Sequence, residues 1–400
     1  MANTLTPRDV YQLMNSIASQ ATGQTNIAVV DTSTFVSVGE TLLRTAAENT
    51  LNAISTVLAD TIFSVRPYRG KLDSLRVAQR RWGAQVRKVV NLYDEAEASG
   101  DWNTDINATQ LNDGNSVDMY TIRKPKVMQL NFYGTAVLQK HITIFRDQLA
   151  LAFSSEEEFV SFIDSVMVEF NNEVELLNEQ KSRLTLINFM LGIHDMGLTE
   201  IDLVAEFNSD YNQTYTRDDL LTTYASDFMK YVAAKVKIYS ELLTEMSANN
   251  HAQITGLSPI LRHTPKERQK MIMYNPIFIQ AESEVYSGLF NPQYLEIGDF
   301  EGVNFWQSQD APTTITGTPN ILDTSTGQSA TGTANIGIDY VLGILFDEEA
   351  LGVMPQFDYA STTPFNSKGG FFNNFLHWRF NSYNDFTENA VLFVLGAGGV

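Results

Sequence analysis

The chain has 400 residues, a formal charge of −20, 44% hydrophobic and only 18% charged side chains, and no cysteine. A chain of that length allows two or three domains, or one core with large excursions, and its composition is that of a globular protein. Disulfides, thiolate catalysis, zinc ribbons and iron–sulfur ligation are excluded with the cysteines, and a net acidic chain does not bind nucleic acid along its whole length.

The opening MANTLTPRDVYQ has neither a basic n-region nor an apolar core, and no apolar run approaches the roughly eighteen residues of a membrane span. A protein made in the cytoplasm with no membrane partner is expected. Thr6, Pro7 and Asp9 start a helix that carries Val10, Leu13, Met14 and Ile17. The stretch Gln20 to Val38 reads as an extended arm, and Ser37 with Glu40 predicts a capping box that opens a second helix. From Arg66 to Lys88 eight cations face the single acid Asp73, a local charge of +7 that leaves −27 for everything else. Tyr93 to Asp118 then swings to Asp, Glu, Gly and Asn and reads as a solvated loop. Strands are expected at Tyr120–Ile122 and Val127–Tyr133. Ser154 and Ser155 precede Glu157 and Glu158 at capping-box spacing, and Phe159, Phe162, Val166, Phe170, Val174, Leu177, Leu184 and Leu191 predict a helix ending near Gly192. A second long helix is expected over Thr216 to Met246. Beyond His251 the pattern turns to strands: Met271–Met273, then a Thr/Gly/Ser/Asn-rich surface stretch from Gln307 to Gly337. Tyr340–Phe346, Phe371–Phe380 and Ala390–Leu395 follow as strand candidates.

Chemistry is sparse. No two of His141, His194, His251, His263 and His377 share the spacing of ligands on one helix face, and His194-Asp195 near a helix end reads as capping before metal binding. Gly396, Gly398 and Gly399 are followed by no helix that could hold a phosphate. The carboxylate pairs Asp218-Asp219 and Glu156–Glu158 sit where helix starts favour acid. No catalytic, cofactor-binding or metal residue is assigned. The basic stretch Arg66, Arg69, Lys71, Arg76, Arg80, Arg81, Arg87 and Lys88 is the one charge feature that stands out. Nucleic-acid binding and a solvated helix face are both open to it, but an inter-subunit contact with the acidic surface of a neighbouring copy is favoured.

The run Phe357-Asp358-Tyr359, Thr363-Pro364-Phe365-Asn366, Lys368 to Asn373, His377-Trp378-Arg379 and Asn384-Asp385-Phe386-Thr387-Glu388-Asn389, closing on Ala390–Leu395, resembles the end of tailed-phage major capsid proteins, Picovirinae-like ones above all. Gly343 to Asp347 and Ala350-Leu351-Gly352 are similar to the strand and turn that precede it there. The resemblance implies the α+β Hong Kong 97-type fold. Its N-terminal arm would span 1–61 and its E-loop hairpin 62–146. The peripheral domain would take 147–250 and 371–400, with a spine helix over about 154–191, and the axial domain 251–370. It also implies a homo-oligomer of hexamers and pentamers, an icosahedral or prolate shell of the virion that encloses double-stranded DNA without reading its sequence. Some members of the family carry a fused scaffolding segment ahead of the arm, for which no room is expected here, so a separate scaffolding protein and a portal are expected partners. Lys71 and Lys88 lie where some relatives crosslink to a neighbour, but no crosslinking motif matches. The remaining readings are another virion component, portal or tail, or an acidic hydrolase.

Overall fold

The computed structural model describes residues 12, 14–19, 34, 37–39, 68–77, 86–94, 120, 122, 124–132, 135–145, 156–277, 279, 299–364 and 366–398, with the side chains of 86, 135, 144, 156–171, 299 and parts of two late strands left out. In chain order its elements begin with strands β1 (Val86–Asn91), β2 (Val127–Phe132) and β3 (Thr135–Phe145), followed by helix α1 (Glu156–Asp195). Strand β4 (Glu200–Asp202) leads into helices α2 (Leu203–Tyr211), α3 (Arg217–Leu221) and α4 (Ala225–Leu242). Strands β5 (Gln269–Tyr274), β6 (Asp299–Val303), β7 (Ile315–Gly317), β8 (Asn320–Asp323), β9 (Gln328–Thr331) and β10 (Ile336–Ile338) come next. The chain closes with β11 (Val341–Asp347), β12 (Leu351–Thr362), β13 (Phe371–Asn384) and β14 (Ala390–Val394). Two compact units share these elements: unit 1 holds residues 1–84, 134–183 and 353–382, and unit 2 holds 85–133, 184–352 and 383–400.

Unit 1 is built on a three-stranded sheet in the order β12-β13-β3. β13 runs antiparallel to β3 from Phe371↔Phe145 to Asn381↔Thr135, so alternate residues share a face. On one face Val353, Trp378 and Phe380 are buried against Ala136 and Leu138 and against Val174 and Leu177 of α1. The segment before β1 is tied down here as well. Val77 donates to the Val353 carbonyl at 3.0 Å, and the Tyr68 hydroxyl donates to Glu179 at 2.7 Å.

Unit 2 holds a five-stranded sheet in the order β4-β14-β11-β5-β6. β11 is antiparallel to both β14 and β5, while the outer pairs β14–β4 and β5–β6 are parallel. All residues of β11 and β14 are buried, as their unbroken aliphatic runs demand of strands covered on both faces. The register shows how the cover is shared. Phe346 pairs with Ala390 and Gly343 with Phe393, so the two phenylalanines project to opposite faces. Phe346 meets Phe189 of α1 at 6.4 Å, and Phe393 meets Tyr239 of α4 at 5.9 Å. Gly343 is required in β11, because a Cβ there would lie 2.7 Å from the Ile272 carbonyl oxygen of the adjoining strand.

Helix α1 has 40 residues and spans about 60 Å at 1.5 Å per residue. It runs as the periodicity predicts, with two differences. Its end lies three residues beyond Gly192, and Leu184, placed on the apolar stripe, is exposed. From Thr185 to Ile193 nearly every position is buried, so this part is a core helix without a polar face. Gly192 lets it approach Phe386 so closely that a Cβ would sit 2.4 Å from the ring. The predicted helix over 216–246 is two helices. Thr216 and Asp219 form a reciprocal capping box for α3, which stops at Thr222, whose hydroxyl returns to the Asp218 carbonyl at 2.6 Å. Tyr224 then stacks on Tyr215 at 4.2 Å, and α4 begins. Ser37 does not cap a helix: Thr34 is already helical, and the Ser37 hydroxyl donates to the Thr34 carbonyl at 3.1 Å. Tyr120 and Ile122 are exposed and are not in a strand. The helix start at Thr6 and the caps Ser154 and Ser155 lie outside the described residues, as does the arm from Gln20 to Val38 except for Thr34, Ser37 and Val38, which are helical and not extended.

Candidate assembly surface

The β1–β2 hairpin carries the end of the basic stretch, and its two faces differ. With Val90 opposite Met128 and Lys88 opposite Leu130, residues 88, 90, 128 and 130 point the same way. Val90, Met128 and Leu130 are buried with Ile260 in one cluster, against which Leu92, Phe132 and Ile254 pack. The outer face presents Arg87, Val89 and Val127, with Val89 60% and Val127 53% exposed. Leu92 donates to the Lys126 carbonyl at 2.9 Å and prolongs the ladder by one rung, while Lys126 reaches Asp94 at 3.0 Å and Ser258 at 3.1 Å.

Lys88 shares the inner face with the apolar cluster and is anchored by acids from the far end of the chain. Its Nζ lies 3.0 Å from Asp385 Oδ2, 2.5 Å from Glu388 Oε1 and 3.4 Å from Glu349 Oε2. The lysine side chain is 17% exposed, Asp385 1% and Glu388 8%. Burial alone would depress the ammonium, but the charges of Asp385 and Glu388 outweigh it and hold the group well above the usual lysine range. Burial pushes the Glu388 carboxyl up against the pull of Lys88 and of Arg262, whose Nε is 2.8 Å away.

The acids are held by the turn between β13 and β14. Asp385 Oδ1 accepts from the Thr387 amide at 2.9 Å and its hydroxyl at 2.6 Å, an Asx turn that holds the Asp385 carboxylate in place. Asn389 donates to Thr264 Oγ1 at 3.2 Å, Thr264 donates to Asp347 at 2.9 Å, and Asn389 also lies 3.0 Å from His251 Nδ1. His251 Nε2 lies 2.8 Å from the Ile260 carbonyl. Burial holds His251 below the usual histidine range, so the ring is neutral near pH 7. Arg268 closes the rim on Glu348 at 2.6 Å and on Glu349.

The eight predicted contact residues therefore divide. Lys88 faces inward, and Arg76 makes a two-pronged pair with Glu175 at 2.7 and 3.3 Å, with Asp73 at 2.9 Å. These two are spent within the chain. Arg69, beside Asp73 at 3.2 Å, and Lys71 and Arg87 are exposed; Arg66, Arg80 and Arg81 lie outside the described residues. Asp385 and Glu388 carry charge chemistry that the sequence reading did not single out. The signal was present in Asp-x-Thr, which predicts an Asx turn, within the Asn384–Asn389 run. His194 lies 2.5 Å from Glu200, and Asp195 accepts from the Thr333 amide at 2.8 Å; hydrogen bonds from the Thr333 side chain and then its amide lower the Asp195 carboxyl below the ordinary range. No group of three or more His, Cys, Asp or Glu side chains among the described residues could hold a metal ion. None of the described helices is long and apolar enough to cross a membrane.

Residues 14–394 match the family model described as Phi29-like phage major capsid protein. The chain belongs to that family. It is a shell-building capsid protein of the virion, and the run that holds Asp385 and Glu388 is also the part of the sequence that resembles such proteins. Similar solved structures include a chain of the Staphylococcus phage Andhra capsid, at 8% identity and a TM-score of 0.54, covering 84% of this chain and 87% of that one. A chain in the structure of the head fiber and inner core protein gp22 of native bacteriophage P68 has 10% identity and a TM-score of 0.52, covering 84% and 86%. Identities this low establish the fold alone, which is the Hong Kong 97-type fold of phage capsids. No curated protein matches the chain in sequence.

Proposed function

We propose that this capsid protein assembles as hexamers and pentamers that close into an icosahedral or prolate head around double-stranded DNA, and that it catalyses no reaction. The observation that carries the reading is the family match over residues 14–394. DNA is enclosed and not read, in keeping with a charge of −20. A separate scaffolding protein and a portal act with it, and the chain is made in the cytoplasm of the bacterial host. The segment 1–61 is the arm, 62–146 the E-loop, 147–250 with 371–400 the peripheral domain and 251–370 the axial domain. Binding energy comes from many modest contacts multiplied by repetition. The basic contact with a neighbour's acidic surface falls to Arg66, Arg69, Lys71, Arg80, Arg81 and Arg87, because Arg76 and Lys88 are largely buried on acids of their own chain, whereas Arg69, though beside Asp73, stays exposed. The test is size-exclusion chromatography with negative-stain microscopy over a range of salt and concentration. Rings, sheets or shells are expected; a small monodisperse oligomer under every condition would count against the proposal.

A further inference from the structure

Helix α4 carries apolar side chains on two faces. The inner one, with Phe228, Met229, Val232 and Val236, is buried, and Tyr239 beside it meets Phe393 of β14 at 5.9 Å. A helix that lies on a sheet is expected to turn charged groups outward, and the first turns do so with Asp227 and Lys230, paired at 3.2 Å. The outward face then changes. Ala234, Ile238 and Leu242 follow at steps of four, one above the other, and all are exposed, with Ile238 51% and Leu242 48% accessible. Charges border this stripe in a fixed order: Lys230 and Lys237 come first, then Glu241 and Glu245. At 3.6 residues per turn, Lys230, Lys237 and Glu241 stand on the same side of it.

We propose that this stripe is a meeting point of two copies of the chain, packed with their α4 helices antiparallel about a twofold axis at Ile238. The proposal rests on the shell-building reading above, which supplies the second copy. Shape and charge both make the face its own complement. An axis at Ile238 sets the two Ile238 side chains together and brings the small Ala234 of each copy level with the larger Leu242 of the other. The same axis brings Lys237 within a turn of Glu241 of the second copy, and Lys230 within a turn of its Glu245. A parallel pairing would set like charge on like. Glu241 also meets Lys266 of its own chain, so the ion pairs direct the pairing more than they strengthen it. Three helical turns bury less than the roughly 1,200 Å² of a standard-sized complex, so the contact acts where other contacts already hold copies together. Nucleic acid does not suit a face that carries Glu241 and Glu245 beside its lysines.

The absence of cysteine makes the test direct, and Ala234 and Leu242 lie about 12 Å apart along the helix, too far to be bridged within one chain. The double variant Ala234→Cys with Leu242→Cys is assembled, oxidised and run on a non-reducing gel. A twofold contact joins both cysteines of one chain to the same second chain, so linked species are expected to stop at the dimer. A ladder of trimers and larger species means head-to-tail contact and overturns the twofold pairing. Shells without linked chains overturn the contact altogether and leave the shell reading standing, with this face of α4 on solvent or on another protein. A native chain that forms no rings or shells overturns both. In the second arm, Lys237→Glu is expected to need about fivefold more protein to assemble, as two exposed ion pairs are lost at each contact, and adding Glu241→Lys is expected to restore the native threshold. An unchanged threshold for the single variant, or a double variant that assembles no better than the single one, overturns the pairing.

Discussion

The two sheets of this protein solve different problems. In unit 2, β11 and β14 are apolar at nearly every position and carry helix cover on both faces, Phe189 on one and Tyr239 on the other. In unit 1, β3 and β13 alternate, with one face on α1 and the other aromatic, exposed along β3 and half-buried along β13. The first pattern fixes a fold, since every residue is committed to the same molecule. The second leaves apolar side chains of β3 such as Val137 and Phe145 exposed, which an assembling chain can use.

The contrast can be broken first at the committed sheet. Phe346→Ala should cost about 3–5 kcal/mol of unfolding free energy, because a fully buried ring is lost between β11 and α1. A denaturant titration that shows less than about 1 kcal/mol would mean the sheet is not packed as described. Lys88→Met should cost a similar amount, about 3–5 kcal/mol, since it leaves Asp385 buried without its cation and Glu388 with Arg262 alone. Adding Glu388→Gln should restore part of the loss, and a double-mutant cycle with no coupling would contradict the ion cluster. Gly192→Ala should cost about 1–3 kcal/mol through overpacking against Phe386, although alanine is the better helix former.

Acidity sharpens the same comparison. His251 is held neutral in the folded chain, so the unfolded state takes up its proton first as pH falls below about 6.5, and stability is lost from there down to the lowered folded pKa. His251→Gln should flatten that part of the stability profile; an unchanged slope would remove His251 from the account. Glu388, whose carboxyl is raised, works in the opposite sense at lower pH, nearer about 4.5. Lys88 contributes fully through neutral pH, and its share is lost only as pH rises past about 10.5 toward its raised folded value. The smallest effect belongs to the open face: Val137→Ser should change the stability of the unassembled chain by no more than about 0.5 kcal/mol.

Legibility in the sequence followed the range of the interactions. Helix α1 announced itself through a stripe repeated over many turns, and β11 and β14 through aliphatic runs bounded by Asp347, Asn389 and Gly396. Strand β1 was hidden, because Arg87 and Lys88 read as part of a charge run until β2 supplies the register that separates their faces. The break between α3 and α4 depends on a Thr222 back-bond and a Tyr215–Tyr224 stack that apolar periodicity does not report. The Lys88 cluster joins residues almost 300 positions apart, so the sequence shows its cation in one place and its acids in another with nothing to connect them. The tail motif was visible as a resemblance, but not that its acids and Asn389 form the polar centre of unit 2.

The division of labour between the sheets is tested most directly by hydroxyl-radical footprinting of free subunits and of assembled shells. Phe145, His141 and Val137 should react in the free chain and be protected in the shell, while Phe346 and Phe393 stay unreactive in both. Equal reactivity of Phe145 and His141 in the two states would contradict the account, because the open sheet would then not be where copies meet.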